Sequence, residues 1–196
     1  MAAHLNLEGD SMKRLVWMVG TCLAVLLVCS GISMAAEQEP VVGYNAGNVQ
    51  FSAPLSAEDA TYLGLSKPAP FSLKDIKADY VLVESFNTTC PHCMAQAPVL
   101  NTVYSKVASD PNLKNRIKFV AAAQGQDQSA AKMWKVFHKV PFPVVPDPES
   151  KLGKALNFSP YPVTVLLDKS GKALWVHVGS FDDADEVLRG IKKAVK

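Results

Sequence analysis

The chain has 196 residues, 48% of them hydrophobic and 19% charged, with a formal net charge of +2. That length and apolar content support one domain with a real core plus appendages. The near-neutral charge, without a basic run or aromatic–basic interleaving, argues against a nucleic acid partner.

Lys13-Arg14 lead into residues 15–36, a run without charge that ends Ser33-Met34-Ala35-Ala36 before Glu37. A basic start, an apolar middle and small residues at the end predict a signal peptide over residues 1–35, cut after Ala35. The same run is long enough to serve instead as a membrane anchor. Either way the domain is expected outside the cytoplasm, in a periplasmic or similar extracytoplasmic space. Cys22 and Cys29 fall in this segment as apolar filler, so the mature chain keeps only Cys90 and Cys93. An exported chain with a single CxxC pair has no disulfide framework to build, so the pair is expected to be chemically active.

Residues 36–70 contain Gly, Asn and Pro without sustained periodicity and read as an N-terminal extension packing on the domain. Within it, Ser56-Ala57-Glu58-Asp59 has the form of a capping box opening a short helix through Leu63. From residue 71 to 196 the pattern becomes regular. Residues 71–76 predict an edge strand and 80–86 a buried one, followed by a helix over 91–108 that stops at Asp110-Pro111-Asn112. A strand over 116–123 precedes a helix whose apolar face is Ala130, Met133, Trp134, Phe137 and Val140, ending at Pro141. A short strand at 142–145 and a small helix near 149–157 follow. Strands over 162–167 and 172–179 flank Asp168-Lys169-Ser170-Gly171, a hairpin signal, and a last helix from about 182 buries Leu188, Ile191 and Val195. Strands alternating with helices, closed by a hairpin and a helix, predict an α/β sandwich around a mixed sheet.

The chemistry concentrates in Cys90-Pro91-His92-Cys93, where a strand gives way to a helix. A thiol at a helix N-terminus meets unpaired backbone N–H groups and the positive end of the dipole, both of which favour thiolate. Thiolate is the form that attacks disulfides. Glu84 lies inside an apolar strand, where a carboxylate is costly unless it has a task. Met94 after Cys93 excludes the C-x-x-C-H pattern of haem attachment.

Residues 71–196 resemble the thioredoxin superfamily, through the strand–CxxC–helix context together with Glu84, Pro98 and Pro162. The resemblance implies a thioredoxin fold with a modest central insertion. Cys90 would be the exposed nucleophile and Cys93 the resolving thiol, with His92 stabilising the thiolate and Glu84 moving a proton beneath them. Pro98 would kink the helix, and Pro162 would be a cis-proline facing the dithiol, with Tyr161 touching substrate. The motif is similar to that of DsbA-like oxidases. The spacing from Cys93 to Pro162 is similar to that of the TlpA/ResA branch, whose usual Trp and acid are replaced here by Thr89 and Gln96.

The expectation is an exported thiol–disulfide oxidoreductase, acting as an oxidant of client thiols and more oxidising than thioredoxin. The alternatives are a TlpA/ResA-type reductase, a module in which Cys90, His92 and Cys93 hold copper or zinc, and a non-catalytic adaptor. The exchange reading implies protein or peptide thiol and disulfide substrates and a partner that resets the pair. It implies no metal and no organic cofactor.

Overall fold

The computed structural model describes residues 42–195 except 53, 55 and 159. The expected signal peptide or anchor lies outside the described residues. In chain order the first elements are β1 (Gln50–Phe51), α1 (Ala57–Leu63), β2 (Phe71–Ser72), β3 (Tyr80–Phe86), α2 (Pro91–Ser109) and β4 (Ile117–Gln124). There follow α3 (Gln128–Phe137), β5 (Val144–Asp147), α4 (Lys151–Ala155), β6 (Val163–Asp168), β7 (Ala173–Val178) and α5 (Ala184–Ala194).

Five strands make one mixed sheet in the order β5–β4–β3–β6–β7. β3, β4 and β5 run parallel, while β6 is antiparallel to β3 and β7 to β6. β3 is central, and every residue of it after Tyr80 is buried. A strand covered on both faces reads as a nearly continuous apolar run, which is why Val81-Leu82-Val83 does not alternate. Side chains still alternate between faces. Leu82 and Phe86 join Leu100, Val103, Trp134 and Ile191 in the core under α2, α3 and α5. Val81 and Val83 join Phe51, Leu63 and Leu152 on the other face. Glu84 has the parity of Leu82 and Phe86, so it points toward α2.

The described residues ahead of β2 pack on the core of the sheet's second face. Ser56 caps α1 by accepting the Asp59 N–H at 3.1 Å, and Ala46, Val49, Phe51 and Leu63 are buried. Ala46 N–H donates to the Gly171 carbonyl at 2.9 Å in the β6–β7 hairpin. A Cβ on Gly171, whose φ is +86°, would lie 2.1 Å from the Gly47 Cα, so the two backbones meet where only glycine fits.

Three expectations are corrected. In α5 the buried residues are Ala184, Val187 and Ile191, whereas Leu188, and Val195 just after the helix, are only partly buried. Residues 71–76 are not one edge strand: β2 stops at Ser72 and pairs with β1, outside the main sheet. The Asp75 carboxylate accepts from Ser72 N at 2.8 Å and Ser72 Oγ at 2.6 Å, and this local capping closes a 3-10 turn that ends the strand. In α3 the buried residues are Ala131 and Trp134, whereas Met133 and Phe137 are 67% and 79% exposed. Trp134 sets the rotation by packing on Phe86, with ring centres 4.5 Å apart, and Lys135 pairs with Asp59 on α1. Phe86→Ala should therefore cost about 3–5 kcal/mol in a urea unfolding titration, because a fully buried ring leaves a cavity against Trp134. A loss below about 1 kcal/mol would show that α3 collapses into the gap.

Candidate active site

The dithiol sits at the C-terminal end of β3. Asn87-Thr88-Thr89 are turn-forming residues, and the Asn87 Oδ1 accepts from Thr89 N at 3.0 Å and Thr89 Oγ1 at 2.8 Å. Asn87 Nδ2 donates to the Gln124 carbonyl at 3.1 Å and Thr88 Oγ1 to Gln126 at 2.9 Å, tying the turn to the end of β4. Cys90 is the N-cap of α2, and Pro91 follows at the first helical position, where its missing N–H costs nothing. The Cys90 sulfur takes the place of a capping oxygen, accepting the Cys93 N–H at 3.3 Å. Such a donor stabilises negative charge on that sulfur.

The two thiols differ in access. Cys90 is 8% exposed and Cys93 0%, and both are free. Burial pushes the Cys93 thiol well above the ordinary range. Its hydrogen bond with Cys90 and the charges of Cys90 and Glu84 add to that. Cys93 therefore stays protonated at neutral pH.

Glu84 is buried beside this thiol. Loss of hydration raises its carboxyl to about 7, against the opposing effect of a hydrogen bond from Gln96. That bond, Gln96 Nε2 to Glu84 Oε1, is 2.8 Å long. Opposite the dithiol, the Tyr161–Pro162 peptide bond is cis. The Cys90 thiol points at the Tyr161 carbonyl, 3.8 Å away. Tyr161 is 38% exposed, so a partly exposed aromatic residue borders the Cys90 sulfur.

Cys90, Cys93, Glu84, Tyr161 and Pro162 thus come together. His92 stands on the exposed first turn of α2, and no hydrogen bond joins it to Cys90 among the described residues. Pro98 lies inside α2, where it removes one backbone hydrogen bond. His138 packs on Trp134 and His177 on Trp175, both as structural rings. No three His, Cys, Asp or Glu side chains group as metal ligands among the described residues. Sequence reasoning missed the roles of Asn87 and Gln96. Asn87 carries a turn signal, and Gln96 only the absence of the acid that the resemblance would place there.

A central parallel strand that delivers a dithiol to the head of its following helix, with a cis-proline strand beside it, defines a thioredoxin fold. Residues 50–190 match the Redoxin family model, and the chain belongs to that family. Among curated proteins it is 26% identical over 118 residues to the thiol-disulfide oxidoreductase ResA of Bacillus cereus, covering 60% of this chain. It is 27% identical over 112 residues to ResA of Bacillus subtilis, covering 57% of this chain. The chain spans 64% and 60% of these two relatives, less than two thirds of either.

Solved structures share the fold. One is a thiol:disulfide interchange protein from Bacteroides sp., with TM-score 0.57, 17% identity, and 78% of this chain and 89% of that one covered. Another is a secreted Mycobacterium tuberculosis disulfide oxidoreductase, with TM-score 0.55, 17% identity, and coverage of 74% and 94%.

Proposed function

We propose that this chain is a thiol–disulfide oxidoreductase of the ResA type, working as a reductant of client disulfides. The observation that carries the reading is the asymmetry of the pair. Cys90 touches solvent and accepts a backbone N–H, while Cys93 is sealed behind it as a protonated thiol. Cys90 thiolate attacks a client disulfide and releases one client thiolate, leaving a mixed disulfide. The Cys93 sulfur then attacks Cys90, the Cys90–Cys93 bond forms, the second client thiolate leaves, and the Cys93 proton passes to Glu84. Tyr161 and Pro162 border the client chain. A partner dithiol returns two electrons, and no metal or organic cofactor enters.

The oxidant expectation relies on His92 stabilising the Cys90 thiolate by charge or by hydrogen bonding; His92 is exposed, and among the described residues the hydrogen bond is absent, which leaves only the solvent-screened charge. The ResA relatives also favour the reductase alternative. Residues 1–35 are proposed as the targeting or anchoring segment, 36–70 as the extension and 71–196 as the thioredoxin-like domain, acting in an extracytoplasmic space.

The reduction potential of the Cys90–Cys93 pair, measured by equilibration with glutathione, tests the direction. Known pairs run from about −270 mV for thioredoxin to about −120 mV for DsbA, and a value in the lower half of that range is expected. A value near the DsbA end would restore the oxidant reading. Failure to catalyse any exchange would overturn both.

A further inference from the structure

Gln96 is fully buried and makes three hydrogen bonds to three different parts of the fold. Its Oε1 accepts the Phe181 backbone N–H at 3.3 Å, and its Nε2 donates to Glu84 Oε1 at 2.8 Å and to Thr164 Oγ1 at 3.4 Å. The orientation of the amide follows from chemistry. A backbone N–H can only donate, so the atom facing Phe181 must be the carbonyl oxygen. The NH2 group is therefore turned toward Glu84 on β3 and Thr164 on β6, whose residues are cross-strand partners.

Gln96 is also one helical turn beyond Cys93 on α2. One amide thus links the resolving thiol's helix, the carboxyl's strand and the loop before α5. We infer that Gln96 is a positioning residue for proton transfer: held by the Phe181 N–H, it donates to the Glu84 carboxylate and keeps it an acceptor for the Cys93 S–H.

The neighbours leave few other controls. Glu84 has Ala121 of β4 and Thr164 of β6 beside it in the sheet, neither titratable. Among the described residues, Cys93 of α2 is a titratable group near enough for the Glu84 charge to raise its thiol. The Gln96 bond is the effect that lowers the Glu84 carboxyl against its burial. Removing the donor must therefore delay ionisation to higher pH.

This inference rests on the exchange chemistry proposed above, and single-turnover resolution separates the two. The reduced full chain is mixed with one equivalent of Ellman's reagent: the Cys90 thiolate attacks the reagent's disulfide, one thionitrobenzoate leaves in a first phase, and Cys90 carries the other through a new disulfide, whose loss in the second phase is the rate measured. Cys93 then expels it: the Cys90–thionitrobenzoate bond breaks, the Cys90–Cys93 bond forms, coloured thionitrobenzoate leaves, and the Cys93 proton goes to Glu84. The release rate should rise through a limb near pH 7. Glu84→Gln should erase that limb, and a limb that survives it would overturn Glu84 as the acceptor.

Gln96→Met keeps the length and loses the donor, so the limb should move up by about one to two pH units. A stability loss with the limb unmoved would reduce Gln96 to a packing role and overturn the inference. Gln96→Glu keeps an acceptor for Phe181 and covers the case in which the Met variant does not fold. Two facing carboxyls share a proton, so its limb should rise and split into two steps. A single unshifted limb there would equally overturn the inference.

Discussion

Cys93→Ser is expected to stop the reaction halfway, accumulating a covalent complex between Cys90 and a client, while Cys90→Ser accumulates none and loses exchange to background. The reason is the unequal access of the two sulfurs. Of the two sulfurs Cys90 alone touches solvent, and in the proposed exchange Cys93 is the thiol that resolves what Cys90 captures. The same asymmetry sets alkylation. At pH 7 iodoacetamide should modify Cys90 well ahead of Cys93, because burial both shields the Cys93 sulfur and holds its thiol protonated. Non-reducing electrophoresis and mass spectrometry of the alkylated peptides read both results. Complexes trapped by Cys90→Ser instead would exchange the two assignments.

The second large effect is on stability. The Glu84 carboxyl is raised from 4.5 to about 7 in the folded chain, so between these values the folded state holds a proton that the unfolded state has released. Unfolding therefore becomes easier as pH rises through that window. The penalty is absent below about pH 4.5 and complete above about pH 7, reaching about 3 kcal/mol at 1.36 kcal/mol per unit. Glu84→Gln keeps an acceptor for Gln96 and carries no such cost, so it should be the more stable protein at pH 7.5 and lose that advantage near pH 4.5. Urea titrations of both proteins at the two pH values measure it. Parallel curves would mean that Glu84 is hydrated in the folded chain.

The elements that position the dithiol were legible because their signals are strong and local. β3 announced itself as an apolar run, α2 by its CxxC start and apolar spacing, and the β6–β7 hairpin by Asp168-Lys169-Ser170-Gly171. Glu84 was legible because an acid in such a strand is anomalous. What stayed hidden depends on tertiary partners. The face of α3 is fixed by Trp134 finding Phe86, so that Met133 and Phe137 turn outward although the spacing allowed them inward. The break after Ser72 depends on one side-chain oxygen of Asp75 competing with sheet pairing. Gln96 could be read from the sequence only as the place where an acid is missing. Its three partners lie 12, 68 and 85 residues away along the chain, beyond any local pattern.

The sheet order also dictates when the chain acquires its reactivity. β3 pairs with β6 across a register that joins Tyr80 to Asp168, and the carbonyl that faces the Cys90 sulfur belongs to Tyr161, 71 residues downstream. Chains emerge from the ribosome N-terminus first, so Cys90 and Cys93 appear long before the strand that will flank them. Until β6 inserts beside β3, the carbonyl and the cis-proline that flank the Cys90 sulfur in the folded chain are not yet in place. Selectivity is thus a late acquisition of folding, completed only when the last fifth of the polypeptide has arrived.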